Sequence, residues 1–196
     1  PSRIAEVGSR SGAQSRSDQT AGSRFRRPEK IGHFRIEGEV PLGRGGFGEV
    51  WEGLRVDGGF RQRVAIKIIS RAVPDEKVIR RFELERQVLA SLDHPDIARL
   101  IDGGELEDGR PWLAMEYVDG TDVHELLKKE SKLSERRALE IIQEIALALQ
   151  HAHGKGFLHR DIKPHNILVT TQEDQPVAKV IDFGVAKALH RDLIDD

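Results

Sequence analysis

An α+β chain with two lobes is what the sequence predicts, on three observations. Short apolar and β-branched runs punctuated by turn residues fill most of the stretch from Ile31 to Tyr117. After Gly120 the apolar positions recur at helical spacing instead. With 196 residues the chain is long enough to bury a core in one or two domains.

Residues 1 to about 30 are of a different kind. They are rich in Ser, Gly and Arg, with Ile4, Val7 and Phe25 as the large apolar residues. Such a segment buries too little apolar surface to offset its ordering entropy, so a disordered basic tail is predicted. A docking arm for an acidic partner and a plain linker both fit it, the linker being the simpler reading.

Structure begins at Ile31. Phe34, Ile36 and Val40 lead into a glycine-rich turn, and Val50, Trp51 and Leu54 follow it. Val64 to Ile69 reads as a buried strand. Pro74 and Asp75 open a helix with Val78, Phe82, Glu85, Val88, Leu89 and Leu92 along one face, and Asp93-His94-Pro95-Asp96 ends it. A hairpin follows, from Ile97 to Leu106 and from Trp112 to Tyr117, turning at Asp108-Gly109. Val123, Leu126 and Leu127 mark a short helix. Ser134 is the predicted N-cap of a longer one, with a stripe of Ala138, Ile141, Ile142, Ile145, Leu149 and Ala152, stopped by Gly154 or Gly156.

Composition narrows the function. A net charge of -2 argues against a nucleic-acid protein as a whole. No apolar run approaches the length that spans a bilayer, and no signal peptide is visible. The absence of cysteine excludes disulfides and thiolate metal sites, and fits a reducing, cytoplasmic location. A start at Pro1 reads as a cut or processed end.

Chemistry concentrates in four places. Gly43, Gly45 and Gly48 make G-x-G-x-x-G, with Gly46 between them. Glycine lets backbone N–H groups approach phosphate oxygens without a Cβ in the way. No helix opens after these glycines, as a dinucleotide motif requires, so a flap between two strands is predicted. A Gly-rich hairpin with no ligand is the bland alternative. Lys67 stands inside the apolar strand, where its charge needs phosphates or a carboxylate as compensation, unless it snorkels to water. Glu85, on the apolar face of the next helix, is the predicted acid, because Glu83 should point away. His159-Arg160-Asp161-Ile162-Lys163-Pro164-His165-Asn166 and Asp182-Phe183-Gly184 complete the set. The remaining histidines read blandly: His151 and His153 as polar residues near a helix end and a weaker metal pair, and His33, His124 and His190 with no evident partner.

These motifs, in this order, resemble those of the eukaryotic-like serine/threonine protein kinases, in a bacterial style, from about Ile31 to the C-terminus. The resemblance implies a bilobal kinase-like fold, with a tail at 1–30, a β-rich N-lobe and hinge at 31–118 and a partial helical C-lobe at 119–196. It implies ATP and Mg²⁺ as cofactors, Mn²⁺ being an alternative, and protein Ser/Thr hydroxyls as acceptors. Asp161 then accepts or orients the hydroxyl proton, and Lys163 neutralises the transferring phosphoryl group. Lys67 and Glu85 pair to position the phosphates, which Gly43 to Gly48 cover. Asn166 and Asp182 hold the metal. Glu116 and Val118 offer hinge backbone to the adenine, Met115 closes the back of the pocket, and Asp122 meets the ribose. Leu42, Val50, Ala65 and Leu168 line the adenine pocket. His159 is read as a packing residue of the loop, and His165 as a tolerated replacement for a small or acidic residue.

One departure qualifies the resemblance. No Ala-Pro-Glu follows Leu189, so an incomplete activation segment and helical lobe are expected. The stripe on the long helix should then lack part of its cover, leaving an exposed apolar patch or burial against another copy. Two other functional classes follow: a nucleotide-binding regulator without catalysis, and an interaction protein using the basic tail and the exposed helix.

Overall fold

The computed structural model describes residues 28–46, 48–57, 59, 61–70, 76–173 and 175–183. Most of the predicted tail, and the segment after Phe183, fall outside these residues, as do His190 and the side chains of Val78, Phe82 and Glu85.

A seven-stranded antiparallel sheet forms first. It comprises β1 (Lys30–Ile31), β2 (Phe34–Ile36), β3 (Gly43–Gly45), β4 (Gly48–Arg55), β5 (Gln62–Ile69), β6 (Leu100–Glu105) and β7 (Pro111–Glu116). The order is β1-β2-β4-β5-β7-β6, with β3 paired to β4. Because strand side chains alternate, β5 divides its residues between two environments. Val64, Ile66 and Ile68 are buried on one face against Trp51, Trp112, Phe34 and Ala114. Ala65 and Lys67 lie on the other. Register fixes their neighbours: Val50, Lys67 and Leu113 form one row, and Glu52, Ala65 and Met115 the next.

Helix α1 (Glu76–Ala90) precedes β6, and Leu89 and Leu92 are buried in a second core. The predicted strand at Ile97 starts later, at Leu100, because Ile97 bridges in parallel to Val180 instead. Ala98 donates to the Val180 carbonyl at 3.0 Å, and Val180 to that of Asp96 at 2.8 Å. These bonds hold the segment before β6 against Val180 inside the second core, to which Ile97 and Val180 both belong. The Asp108-Gly109 turn forms as predicted, with Gly109 at φ 80°.

After the short strand β8 (Thr121–Asp122) come α2 (Val123–Glu130), α3 (Glu135–Gly154), and a hairpin of β9 (Ile167–Gln172) and β10 (Gln175–Val180) in a sheet of order β10-β9-β8. Ser134 caps α3 as predicted, its Oγ accepting from the Arg137 N–H at 3.2 Å. Past Gly154, Gly156 turns at φ 77° and Phe157 donates back to the Ala152 carbonyl.

The α3 stripe needs one correction. Ile141, Ile145 and Ala152 are buried, joined by Ala148, but Ile142 is 63 % exposed. The buried set follows i, i+4, i+7, i+11, one face laid against β10, and Ile142 sits about 100° further round the helix. Ile142 and Leu139, 66 % exposed, share a second apolar face that the described residues leave uncovered.

Candidate active site

Between the two sheets lies a cleft of about 770 Å³, within the range of small-molecule sites. Every predicted site residue except Glu85 lines it. The carboxylate of Glu85 lies outside the described residues.

The roof is the β3–β4 hairpin, in the register Gly43↔Val50 and Gly45↔Gly48. Its glycines divide into two kinds. A Cβ on Gly48 would stand 2.0 Å from the Ile68 carbonyl oxygen, and its φ is +143°, so the sheet itself requires glycine there. A Cβ on Gly43, Gly45 or Gly46 would meet nothing within 4 Å. Among the described residues nothing demands glycine at those three, and all three line the cleft. Ser70 steadies the turn through its hydroxyl, which donates to the Gly46 carbonyl at 3.2 Å.

Beneath the roof, Val50, Ala65 and Lys67 face the cleft from the sheet, and Leu42 overhangs it. Lys67 is buried and its Nζ is hydrogen-bonded to Asp182 Oδ1. The compensating carboxylate seen for this lysine thus comes from the far lobe. Met115, Glu116 and Val118 form the connecting edge, and Leu168 the floor opposite.

The loop from His159 to Asn166 is tied by its own polar groups. Pro164–Asn166 forms a single 3₁₀ turn, for which the fixed φ of Pro164 is suited. Asn166 Nδ2 donates to the Asp161 carbonyl at 2.8 Å and to its Oδ2 at 3.3 Å. Lys163 Nζ donates to the same Oδ2 at 3.0 Å. The Ile181 N–H bonds the Asn166 carbonyl at 2.9 Å, joining this loop to the Asp182 segment. Arg160 and Asp182 both hold left-handed backbone, at φ 62° and 58°. Such strain in non-glycine residues gathers at functional sites.

His159 plays the packing role expected of it. Its Nδ1 accepts from the Asp161 N–H and its Nε2 reaches the Ile181 carbonyl, each at 3.2 Å. Phe183 is buried between His159 and Phe157, with ring centroids 4.6 and 5.5 Å away. Burial pushes the His159 imidazole below its ordinary pKa of 6.5, against the upward pull of the Ile181 hydrogen bond. Below about pH 6.5 the unfolded chain therefore takes a proton that the folded chain refuses, and stability falls as pH falls. Asp96 has the opposite sign, because burial raises its pKa and the folded state gains protons first. The acid limb of the stability curve should be flatter in His159→Asn, measured by denaturant midpoints between about pH 7.5 and pH 5.5. An equally steep limb in the variant would remove His159 as its cause.

Asp122 caps α2, its Oδ1 accepting from the Glu125 N–H at 2.9 Å, while still lining the cleft. His165 Nδ1 lies 3.6 Å from the same oxygen, and its ring packs tilted against His124, centroids 4.1 Å apart. His33 pairs with Asp57 at 3.3 Å, and His151 lies against His94. Sequence reasoning missed one buried pair. Lys179 on β10 donates to Glu116 Oε1 at 2.7 Å. The rule that singled out Lys67, a lysine inside an apolar strand, applies equally to Lys179 within Val177-Ala178-Lys179-Val180.

A family model for the protein kinase domain matches residues 36–194. The chain is 36% identical over 156 residues to the serine/threonine-protein kinase pkn3 of Myxococcus xanthus, covering 79% of this chain and 28% of that protein. With PknA of Mycobacterium tuberculosis it shares 40% over 163 residues, covering 81% and 36%. The chain thus spans about a third of these relatives or less. The crystal structure of a cysteine-to-alanine mutant of the Mycobacterium tuberculosis PknI kinase domain superposes with a TM-score of 0.68 at 32% identity, covering 82% of this chain and 64% of that one. Among the described residues no helix is long and apolar enough to cross a membrane. On the sequence match and the shared fold together, this chain belongs to the protein kinase domain family, whose members use ATP with a divalent cation and act on proteins.

Proposed function

We propose that the cleft is the ATP site of a serine/threonine protein kinase, within a β-rich lobe at 31–118 and helical-lobe residues from 119 onward. The observation that carries this reading is the Lys67–Asp182 pair, which draws the glycine roof, the strand lysine and the Asp161 loop onto one cavity.

The residues fit the nucleotide and the cation. The bare backbone of Gly43, Gly45 and Gly46 forms a cradle that any Cβ would narrow. Asp182 and the amide oxygen of Asn166 are hard donors of the kind that Mg²⁺ takes. Among the described residues no group of three or more His, Asp or Glu side chains is placed to hold a metal alone. The remaining ligands would be phosphate oxygens and water, as is usual for Mg²⁺ at nucleotide sites. Bound there, Mg²⁺ offsets the charge developing on the phosphates.

In the reaction, the acceptor hydroxyl oxygen bonds to the γ-phosphorus. The bond from γ-phosphorus to the β,γ-bridging oxygen breaks, and its electron pair leaves with ADP. Asp161 holds the hydroxyl in line and takes its proton. Lys163, beside Asp161 Oδ2, supplies positive charge toward the transferring group, and Lys67 meets the phosphates under the flap. Glu85 lies on α1 and is assigned as the second partner of Lys67. Leu42, Val50, Ala65, Met115 and Leu168 enclose the adenine, Glu116 and Val118 give it backbone partners, and Asp122 faces the ribose.

Labelled γ-phosphate from Mg·ATP should appear on serine or threonine of a protein acceptor. Mg·ADP at about a hundred times its Kd should add about 2.7 kcal/mol of stability. Neither label nor stabilisation in the intact protein would overturn the assignment. Stabilisation without label would leave a nucleotide-binding module.

A further inference from the structure

We propose that Arg63 is a positioning residue that clasps the hinge and thereby sets the affinity for the nucleotide. The inference rests on the reading of the cleft as a nucleotide site. The β5–β7 ladder ends at Val64↔Glu116. Tyr117 is therefore the first residue beyond β7, and it faces Arg63, which is still paired to Leu54 on β4 but has no ladder partner on the β7 side.

Side chains take over at that point. The Arg63 guanidinium carbon lies 3.9 Å from the centroid of the Tyr117 ring. Its Nε donates to Glu52 Oε1 at 2.7 Å, so the neighbouring strand β4 presets the guanidinium. Its Nη1 stands 3.8 Å from Asp119 Oδ2. Asp119 is held from the other side, because Thr170 Oγ1 on β9 donates to its carbonyl at 2.6 Å. One guanidinium thus touches the large sheet, the hinge ring and a hinge residue bonded to the small sheet.

Tyr117 stands between Glu116 and Val118, the two residues assigned to the adenine, whereas Arg63 stands outside the cleft. Holding the ring holds the backbone on either side of it. A hinge that samples other geometries binds with its affinity reduced by the competent fraction. The ion pairs add little, because the Arg63 side chain is 48% exposed. The planar stack is the part that a lysine cannot reproduce.

The test is Mg·ADP binding by calorimetry to the intact chain, with Arg63→Ala, Arg63→Lys and Tyr117→Leu. Both Arg63 variants should bind roughly fivefold more weakly. Tyr117→Leu should lose a similar factor, and the double variant Arg63→Ala/Tyr117→Leu little more. Tyr117 is the only tyrosine, so 3-fluorotyrosine labelling gives one ¹⁹F resonance that reports the clasp directly. Arg63→Ala should shift it in the free protein. Wild-type binding with unchanged affinity in Arg63→Ala, an unmoved resonance, or additive losses in the double variant would each overturn the clasp while leaving the nucleotide site standing. No binding by the wild type would overturn both.

Discussion

Replacing Asp161 with asparagine should lower phosphoryl transfer by about 10²–10⁴-fold while leaving Mg·ATP affinity within about twofold. The substitution keeps the side chain's shape and its place in the loop. The Asn166 amide still has the residue-161 carbonyl, its 2.8 Å partner, and the N–H of residue 161 still meets His159. What disappears is the carboxylate assigned above to accept the hydroxyl proton, and with it the charge facing Lys163 at 3.0 Å. The groups proposed to face ATP, Lys67 and Asp182 among them, are untouched. Single-turnover transfer beside equilibrium nucleotide binding makes the distinction. Transfer by Asp161→Asn at the wild-type rate would remove Asp161 from the chemistry. A parallel collapse of binding would show that the loop, not the proton acceptor, had been lost.

A second large effect is expected at Gly48, and it acts on stability. An alanine Cβ there would approach the Ile68 carbonyl oxygen at 2.0 Å, on a backbone with φ +143°. Neither a rotamer change nor a small shift relieves a backbone clash of that size. Gly48→Ala should therefore cost about 3 kcal/mol. In a chain of this length that lowers Tm by roughly 10 °C. Gly45→Ala is the internal comparison. Its Cβ meets nothing within 4 Å, so stability should stay within about 0.5 kcal/mol while nucleotide binding weakens. Equal thermal losses in the two variants would refute the division of the glycines into structural and phosphate-facing kinds.

That division shows where sequence reading stops. G-x-G-x-x-G marks the glycines as a group, and continuation of the strand pattern indicates a flap. Which glycine serves the sheet depends on the register of β4 against β5, because Gly48 opposes Ile69. The α3 helix shows the same boundary. Its N-cap, length and apolar content are local properties, legible at Ser134 and along the stripe. The spacing places Ile142 in the apolar stripe beside Ile141, but docking on β10 selects Ile141, Ile145, Ala148 and Ala152. A helix with apolar residues over more than half its surface does not state which arc will be covered.

Charged pairs were the least legible. The anomaly of a lysine in an apolar strand is visible in sequence, but its partner is not. Lys67 and Asp182 are separated by 115 positions, and Lys179 and Glu116 by 63. Breaking the second pair with Lys179→Met should cost about 2 kcal/mol, less than the 3–5 of a fully buried pair because Glu116 retains some solvent. Chemical denaturation checks this, and an unchanged midpoint would mean that the pair contributes nothing net.

By itself, the sequence determined the chemical inventory of this kinase-family chain: the glycine roof, the strand lysine, the Asp161 loop, Asp182, and the local periodicities of the elements that bear them. Those properties depend on neighbours a few residues apart, which fix backbone conformation and side-chain face. Only the tertiary structure decided that Lys67 meets Asp182, that Lys179 meets Glu116, that Arg63 covers Tyr117 and that Ile142 stays in solvent. Each of these depends on strand register and on the docking of one lobe against the other, and no local window of sequence contains that information.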